Sequence, residues 1–146
     1  MLVVEILQTK APEIISVTPG QTMVEVLRLF RENNIGFVVV SRRSGEYLGT
    51  LSERDCCNAV AEHGTEAPMM RVADIMNRSL AICSVQDGLP MVMAIMTKRR
   101  TRHVLVMDDD TLVGVVSIGD VVKHRLDEFL RNEQALHDYI AGVGYH

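Results

Sequence analysis

Two stretches of the chain carry residue types that could hold a phosphate or a sugar. Gly49-Thr50-Leu51-Ser52-Glu53-Arg54-Asp55 and Gly114-Val115-Val116-Ser117-Ile118-Gly119-Asp120 both read glycine, two spacers, serine, two spacers, aspartate. Each follows a short apolar run and opens onto a helical pattern. Two chemistries use this spacing. In the first, serine is a helix N-cap, and the acid three residues on returns the bond to the N-cap N–H. Ser-x-x-Asp is close to a capping box, although Glu is the commoner partner. In the second, the free N–H groups and positive end of the first helical turn take a phosphate. The serine hydroxyl adds a bond to phosphate or ribose, and an aspartate facing a cleft accepts from both ribose hydroxyls. Such a carboxylate bond is worth about 1.5–3 kcal/mol. The glycines would let a backbone approach closely. The spacing alone serves both chemistries.

The elements that must position these turns form a tandem repeat. Shifted by 66 residues, Val17–Val40 falls on Cys83–Val106, so that Met23 meets Leu89, Val26 meets Val92, Leu29 meets Ile95 and Phe30 meets Met96. The second copy is then one residue shorter, and Gly49, Ser52 and Asp55 meet Gly114, Ser117 and Asp120. Each copy predicts a short extended piece (14–17; 80–83) and a turn at Pro19-Gly20 or Asp87-Gly88. A helix at 22–33 or 89–99 follows, then a strand at 37–40 or 104–107. A hairpin at Ser44-Gly45 or Asp108–Asp110 leads to a second strand, 47–51 or 112–116, and into the motif and a second helix. The order is β-α-β-β-α. Units this small do not stand alone, and the expected fold is one α/β body of two units packed sheet against sheet about a pseudo-twofold axis. Short helices at 3–7 and 72–76 should precede the units, with residues 63–71 as the linker between them. After Asp120 a long amphipathic helix is expected, broken near Asn132 and ended by Gly142. The domains are drawn as 6–62, 72–127 and a helical tail over 128–146.

Composition narrows the function. A net charge of −4 and a pI near 5.7 argue against a nucleic-acid grip. The absence of Trp, with three Phe and three Tyr, argues against a single-strand stacking platform. Cys56, Cys57 and Cys83 are odd in number and lack a C-x-x-C spacing, which fits neither a disulfide framework nor a zinc site. That usage suits a reducing cytoplasm. The start, MLVVEILQTK, has no signal-peptide pattern, and no apolar run is long enough to span a bilayer.

Other features have local explanations. Lys98-Arg99-Arg100-Thr101-Arg102-His103 either ends a helix, where cations favour the dipole, or supplies phosphate contacts. Asp108-Asp109-Asp110 belongs to a hairpin turn rather than a metal site. Met91, Met93 and Met96 have helix-core spacing. Cys56-Cys57 reads as structural thiols, with a redox switch as the weaker alternative. No nucleophile–base pair, acid pair or metal cluster is found, so an enzyme is not expected.

The two motif copies, preceded by Ile35-Gly36-Phe37-Val38-Val39-Val40 and Thr101-Arg102-His103-Val104-Leu105-Val106, resemble the cystathionine β-synthase (CBS) domain pair, or Bateman module, with the signature G-h-x-[ST]-x-x-D. L-S-E-R-D and V-S-I-G-D-V-V-K look like stand-alone bacterial CBS-pair proteins, and the resemblance covers residues 6–127. It implies a non-catalytic sensor of adenine nucleotides (AMP, ADP, ATP or NAD(H), in some members S-adenosylmethionine). It also implies a flat homodimer, and an output carried by a partner protein. The sites it implies are crossed. One cleft would use Ile14, Ser16, Ile35 and Gly36 with Ser117 and Asp120; the other would use Leu80, Ile82, Thr101 and Arg102 with Ser52 and Asp55. Asp55 and Asp120 would take ribose hydroxyls, while Ser52, Ser117, Arg54, Arg102 and His103 would hold phosphate. The family's frequent central-strand Pro is Val38 and Val104 here. The alternative is an interaction scaffold that keeps the fold and leaves its clefts empty.

Overall fold

A computed structural model describes residues 1–10 and 14–142. Each repeat folds as expected, with a parallel pair followed by an antiparallel one. The first repeat contains β1 (Ser16–Val17), α2 (Met23–Asn33), β2 (Phe37–Val40), β3 (Gly49–Ser52) and α3 (Glu53–His63), after a short helix α1 (Val3–Gln8). The second contains β4 (Ile82–Ser84), α5 (Leu89–Arg99), β5 (His103–Asp108), β6 (Thr111–Ser117) and α6 (Ile118–Ile140), after α4 (Val72–Ile75). The sheets run β1-β2-β3 and β4-β5-β6.

Local chemistry sets the helix ends. Thr22 and Glu25 form a capping box at the start of α2, and Pro90 occupies the first turn of α5. Both helices stop at a left-handed residue, Asn34 (φ 53°) and Arg100 (φ 51°), which are counterparts in the repeat. The basic run is thereby divided: Lys98 and Arg99 close α5, Arg100 caps it, and His103 begins β5.

Strand alternation divides the interior into three layers. On β2, Val38 and Val40 point into a core with Val17, Met23, Val26 and Phe30, while Val39 points the other way. On β5, Val104 and Val106 join Cys83, Leu89, Val92 and Met96. Val39, Leu105, Met107 and Leu112 meet between the sheets, with Ile14, Phe37, Tyr47, Leu80 and Val115 at their edges. A bulge at Val106/Met107 shifts the register so that Leu112 stands opposite Met107 and turns inward.

One expectation is corrected and two are refined. Residues 63–71 lie between the two repeats as expected, and they form the end of α3 and a 3₁₀ helix, Gly64–Met69, held because Ala67 is fully buried in the first core. The long C-terminal helix has no break at Asn132; α6 is continuous until Gly142, whose φ of 84° ends it. The short helices precede the units as expected, but each packs on the other unit. Val3 and Ile6 of α1 are buried in the second core, and Val72 of α4 is buried in the first. The crossing is symmetric, with Leu2 bridging Gly88 at the start of α5 and Arg71 bridging Thr22 at the start of α2.

Candidate functional site

Both motifs form complete capping boxes. Ser52 Oγ accepts from the Asp55 N–H at 3.2 Å, and Asp55 Oδ2 accepts from the Ser52 N–H at 2.9 Å and from its hydroxyl at 3.0 Å. Ser117 Oγ accepts from the Asp120 N–H at 3.2 Å, and Asp120 Oδ2 accepts from the Ser117 N–H at 2.8 Å. The helix-start chemistry legible in the spacing is therefore present at both turns. Strand pairing places each serine opposite an aromatic ring of its own repeat, Ser52 against Phe37 and Ser117 against His103.

Those two rings stack on each other with centroids 4.2 Å apart and planes 8° from parallel. Phe37 and His103 are counterparts in the repeat, so their contact lies at the pseudo-twofold axis. The two motif turns flank this stack. Burial first, then the neighbouring Lys10 and Arg102 cations, lowers the His103 pKa to about 4 against the pull of Asp120. Its imidazole is neutral at pH 7, and any phosphate contact it makes is that of an N–H donor rather than a cation.

The motif glycines admit protein rather than ligand. A Cβ at Gly49 would come within 2.8 Å of the Asn77 carbonyl oxygen and 2.9 Å of Met76 Sδ. A Cβ at Gly114 would come within 2.7 Å of Leu7 Cδ2. Each glycine receives the end of the crossed short helix, and around Gly49 the approach is clamped by reciprocal bonds between Thr50 and Asn77 at 2.9 and 2.8 Å.

The two sides of the axis are occupied differently. One holds a cavity of about 220 Å³ lined by Phe37 and Thr50 of the first sheet and by Asn77, Ser79, Ala81, Arg99, Thr101, His103 and Leu105 of the second repeat. Cavities that enclose a whole small ligand run to about 300–1,000 Å³, so this one is smaller than those. Of the residues expected from sequence, Thr101 and His103 line it. Leu80 packs between the sheets, Ile82 pairs with Leu105, the Arg54 and Arg102 side chains are exposed, and Ser52 and Asp55 are not among the cavity's lining residues. Arg99 is the cation that reaches into the cavity, where it donates to the Ser79 hydroxyl at 2.7 Å and carbonyl at 3.0 Å. Its membership of the basic run was the available signal; the turn at Arg100 decides which arginine faces inward.

On the other side, Ile14 packs at the sheet interface, Ser16 is an exposed residue of β1, and Ile35 borders the first core. Gly36 leaves space filled by the Glu53 side chain, whose backbone N–H donates to the Gly36 carbonyl at 3.0 Å. Asp120 meets a residue that sequence reasoning missed. Lys10 Nζ donates to Asp120 Oδ2 at 2.6 Å and to the Val115 carbonyl at 2.7 Å. Burial alone would raise the Asp120 carboxyl; the Lys10 ammonium and the Ser117 N–H outweigh it and hold the group below the usual carboxylate range. No local pattern links residues 110 positions apart.

Comparison with known proteins identifies the architecture. The CBS domain profile matches residues 4–62 and 72–127. The chain belongs to the CBS-domain family.

Among its relatives, a mitochondrial CBS domain-containing protein of Arabidopsis thaliana is 30% identical over 132 residues, covering 88% of this chain and 64% of that protein. The CBS domain-containing protein YhcV of Bacillus subtilis is 25% identical, covering 81% and 83%. A solved CBS-domain-containing protein of Agrobacterium tumefaciens superposes with a TM-score of 0.82 at 34% identity, covering 86% of this chain and 99% of that one. The chain thus spans somewhat under two thirds of the plant protein and nearly the whole of the bacterial structure. Its CBS pair is two repeats joined by crossed helices. Among the described residues, no helix is long and apolar enough to cross a membrane, and no three His, Cys, Asp or Glu side chains cluster to hold a metal.

Proposed function

We propose that this CBS pair is a non-catalytic regulatory module that binds an adenine nucleotide (AMP, ADP, ATP or NAD(H)) between its repeats and signals to a partner protein by a change of shape. The supporting observation is the polar cavity beside the axis, where Arg99, Thr101, Asn77 and Ser79 offer cationic and neutral donors to phosphate and sugar oxygens. Calorimetric titration with AMP, then ATP, NADH and S-adenosylmethionine, tests it. Binding of one of them, lost in Arg99→Ala and in Asp55→Ala, is the expected result. Asp55→Ala also removes a cap acid, at a cost of about 0.5–2 kcal/mol, so its urea midpoint is measured beside the titration. No heat and no thermal shift with any of the four would leave the capping boxes as the whole purpose of the motif.

The second reading, an interaction scaffold, has its own observation, and part of it belongs to the first reading as well. Val122, Leu126, Phe129, Leu136 and Ile140 of α6 recur at four- and three-residue steps or whole heptads, and each is more than half exposed. A seam with this spacing is covered by another helix. Its natural occupant is α6 of a second copy, which would make the homodimer.

A further inference from the structure

The two motif carboxylates are not equally open to a ligand. Asp55 Oδ2 is engaged by its own Ser52 alone, and no ion pair reaches Asp55 among the described residues. Asp120 Oδ2 is shared between the Ser117 N–H and Lys10. The position corresponding to Lys10, counted from the paired Leu2 and Arg71 bridges, is Ser79. Its hydroxyl turns to Arg99 and no hydrogen bond joins it to Asp55. A symmetric fold therefore carries an asymmetric pair of sites.

Lys10 is not a free surface lysine that happens to lie near an acid. Its backbone N–H donates to the Leu7 carbonyl at 3.2 Å at the end of α1, a helix anchored by the fully buried Val3 and Ile6. The preceding residue, Thr9, is 3.3 Å through its hydroxyl from Nε2 of the buried His124. Asp120 and His124 are one turn apart on α6, so Thr9 and Lys10 grip two successive turns of that helix. The Lys10–Val115 bond ties the same ammonium to β6. A ribose whose two hydroxyls need the Asp120 carboxylate would have to break this grip.

We propose that Lys10 is an internal lock on the Asp120 cleft, so that this chain binds one nucleotide, in the Asp55 cleft, and its second site opens only when α1 lets go. The inference rests on the nucleotide reading above and adds which site is used and what closes the other.

The test is calorimetric stoichiometry on the full chain, using whichever adenine ligand of the four binds the wild type. One site per chain is expected, abolished by Asp55→Asn and retained in Asp120→Asn. Lys10→Gln should add a second site, strengthened by about tenfold or more over any residual binding. That new site should vanish in Lys10→Gln/Asp120→Asn. Lys10→Arg, which keeps the ion pair and controls for general damage to the fold, should stay at one site. Two sites in the wild type, loss of the wild-type site in Asp120→Asn, or a single site in Lys10→Gln would each overturn the lock while leaving nucleotide binding intact. No heat from the wild type or from Lys10→Gln with any of the four ligands would overturn both readings together.

Discussion

At the scale of single residues, the position on the pseudo-twofold axis has the clearest solution consequence. His103 is held neutral with a pKa of about 4 against an ordinary value of 6.5. Between those values the unfolded chain takes up a proton that the folded chain refuses, so stability falls as pH drops from 6.5 towards 4 and levels off below. At about 1.4 kcal/mol per unit, the loss is at most about 4 kcal/mol. His103→Phe copies the residue that the first repeat already uses, Phe37, and should flatten that part of the profile while keeping the stacked pair. Urea midpoints between pH 7 and 4 check this; an unchanged slope would show that another group dominates. Asp120 acts at the acid end of the range. Its carboxyl is held low, so its contribution is present above the ordinary carboxylate pKa and is lost as pH falls through the folded value. Cys56 and Cys83 are pushed up to about 11 and about 12, mainly by burial, which makes those two thiols poor nucleophiles and leaves the exposed Cys57 to carry any redox switch.

Elements are joined here by exchange. Each short helix buries its apolar residues in the repeat it does not precede, and each motif glycine receives the end of that helix. The two glycines should differ in tolerance. Gly49→Ala drives a Cβ against a backbone carbonyl oxygen at 2.8 Å that is fixed by the Thr50–Asn77 bridge, and should cost about 1–3 kcal/mol. Gly114→Ala meets only the far end of the Leu7 side chain, which can rotate away, so the loss should be smaller. Equal urea midpoints for the two variants would contradict this. Ile6→Ala should cost about 2–5 kcal/mol, and hydrogen exchange should accelerate first in α5 and β6, which share the second core with Ile6, rather than in α2.

For the whole molecule, the decisive feature is the uncovered seam on α6. Phe129 is 63% exposed and Leu126 53%, an apolar display that a lone soluble chain rarely carries along one helix face. If a second copy covers it, Phe129→Glu should convert a dimer to a monomer by sedimentation equilibrium. The urea midpoint measured at low concentration should barely change, because the side chain contributes little to the chain's own core. A wild-type protein that sediments as a monomer would remove the homodimer and leave the seam for a different partner. The asymmetry of the clefts also belongs to this scale, since α1 reaches across the molecule to place Lys10 on Asp120.

What depends on neighbours within a few positions was legible from the residues alone. The helix over 89–99 and the strand over 37–40 fall where periodicity places them, because side-chain spacing along one element decides which face is buried. The Ser-x-x-Asp boxes form because a cap needs only residues three apart. The repeat made the sheet-against-sheet body legible, because two copies of one apolar pattern bury the same faces. The crossing of α1 and α4, the stacking of Phe37 on His103, the turning of Arg99 rather than Arg102 into the cavity, and the Lys10–Asp120 pair emerge only when the chain is folded. Those features join residues dozens of positions apart. Their energies depend on which surfaces the folded sheets bring together, and no local spacing records that.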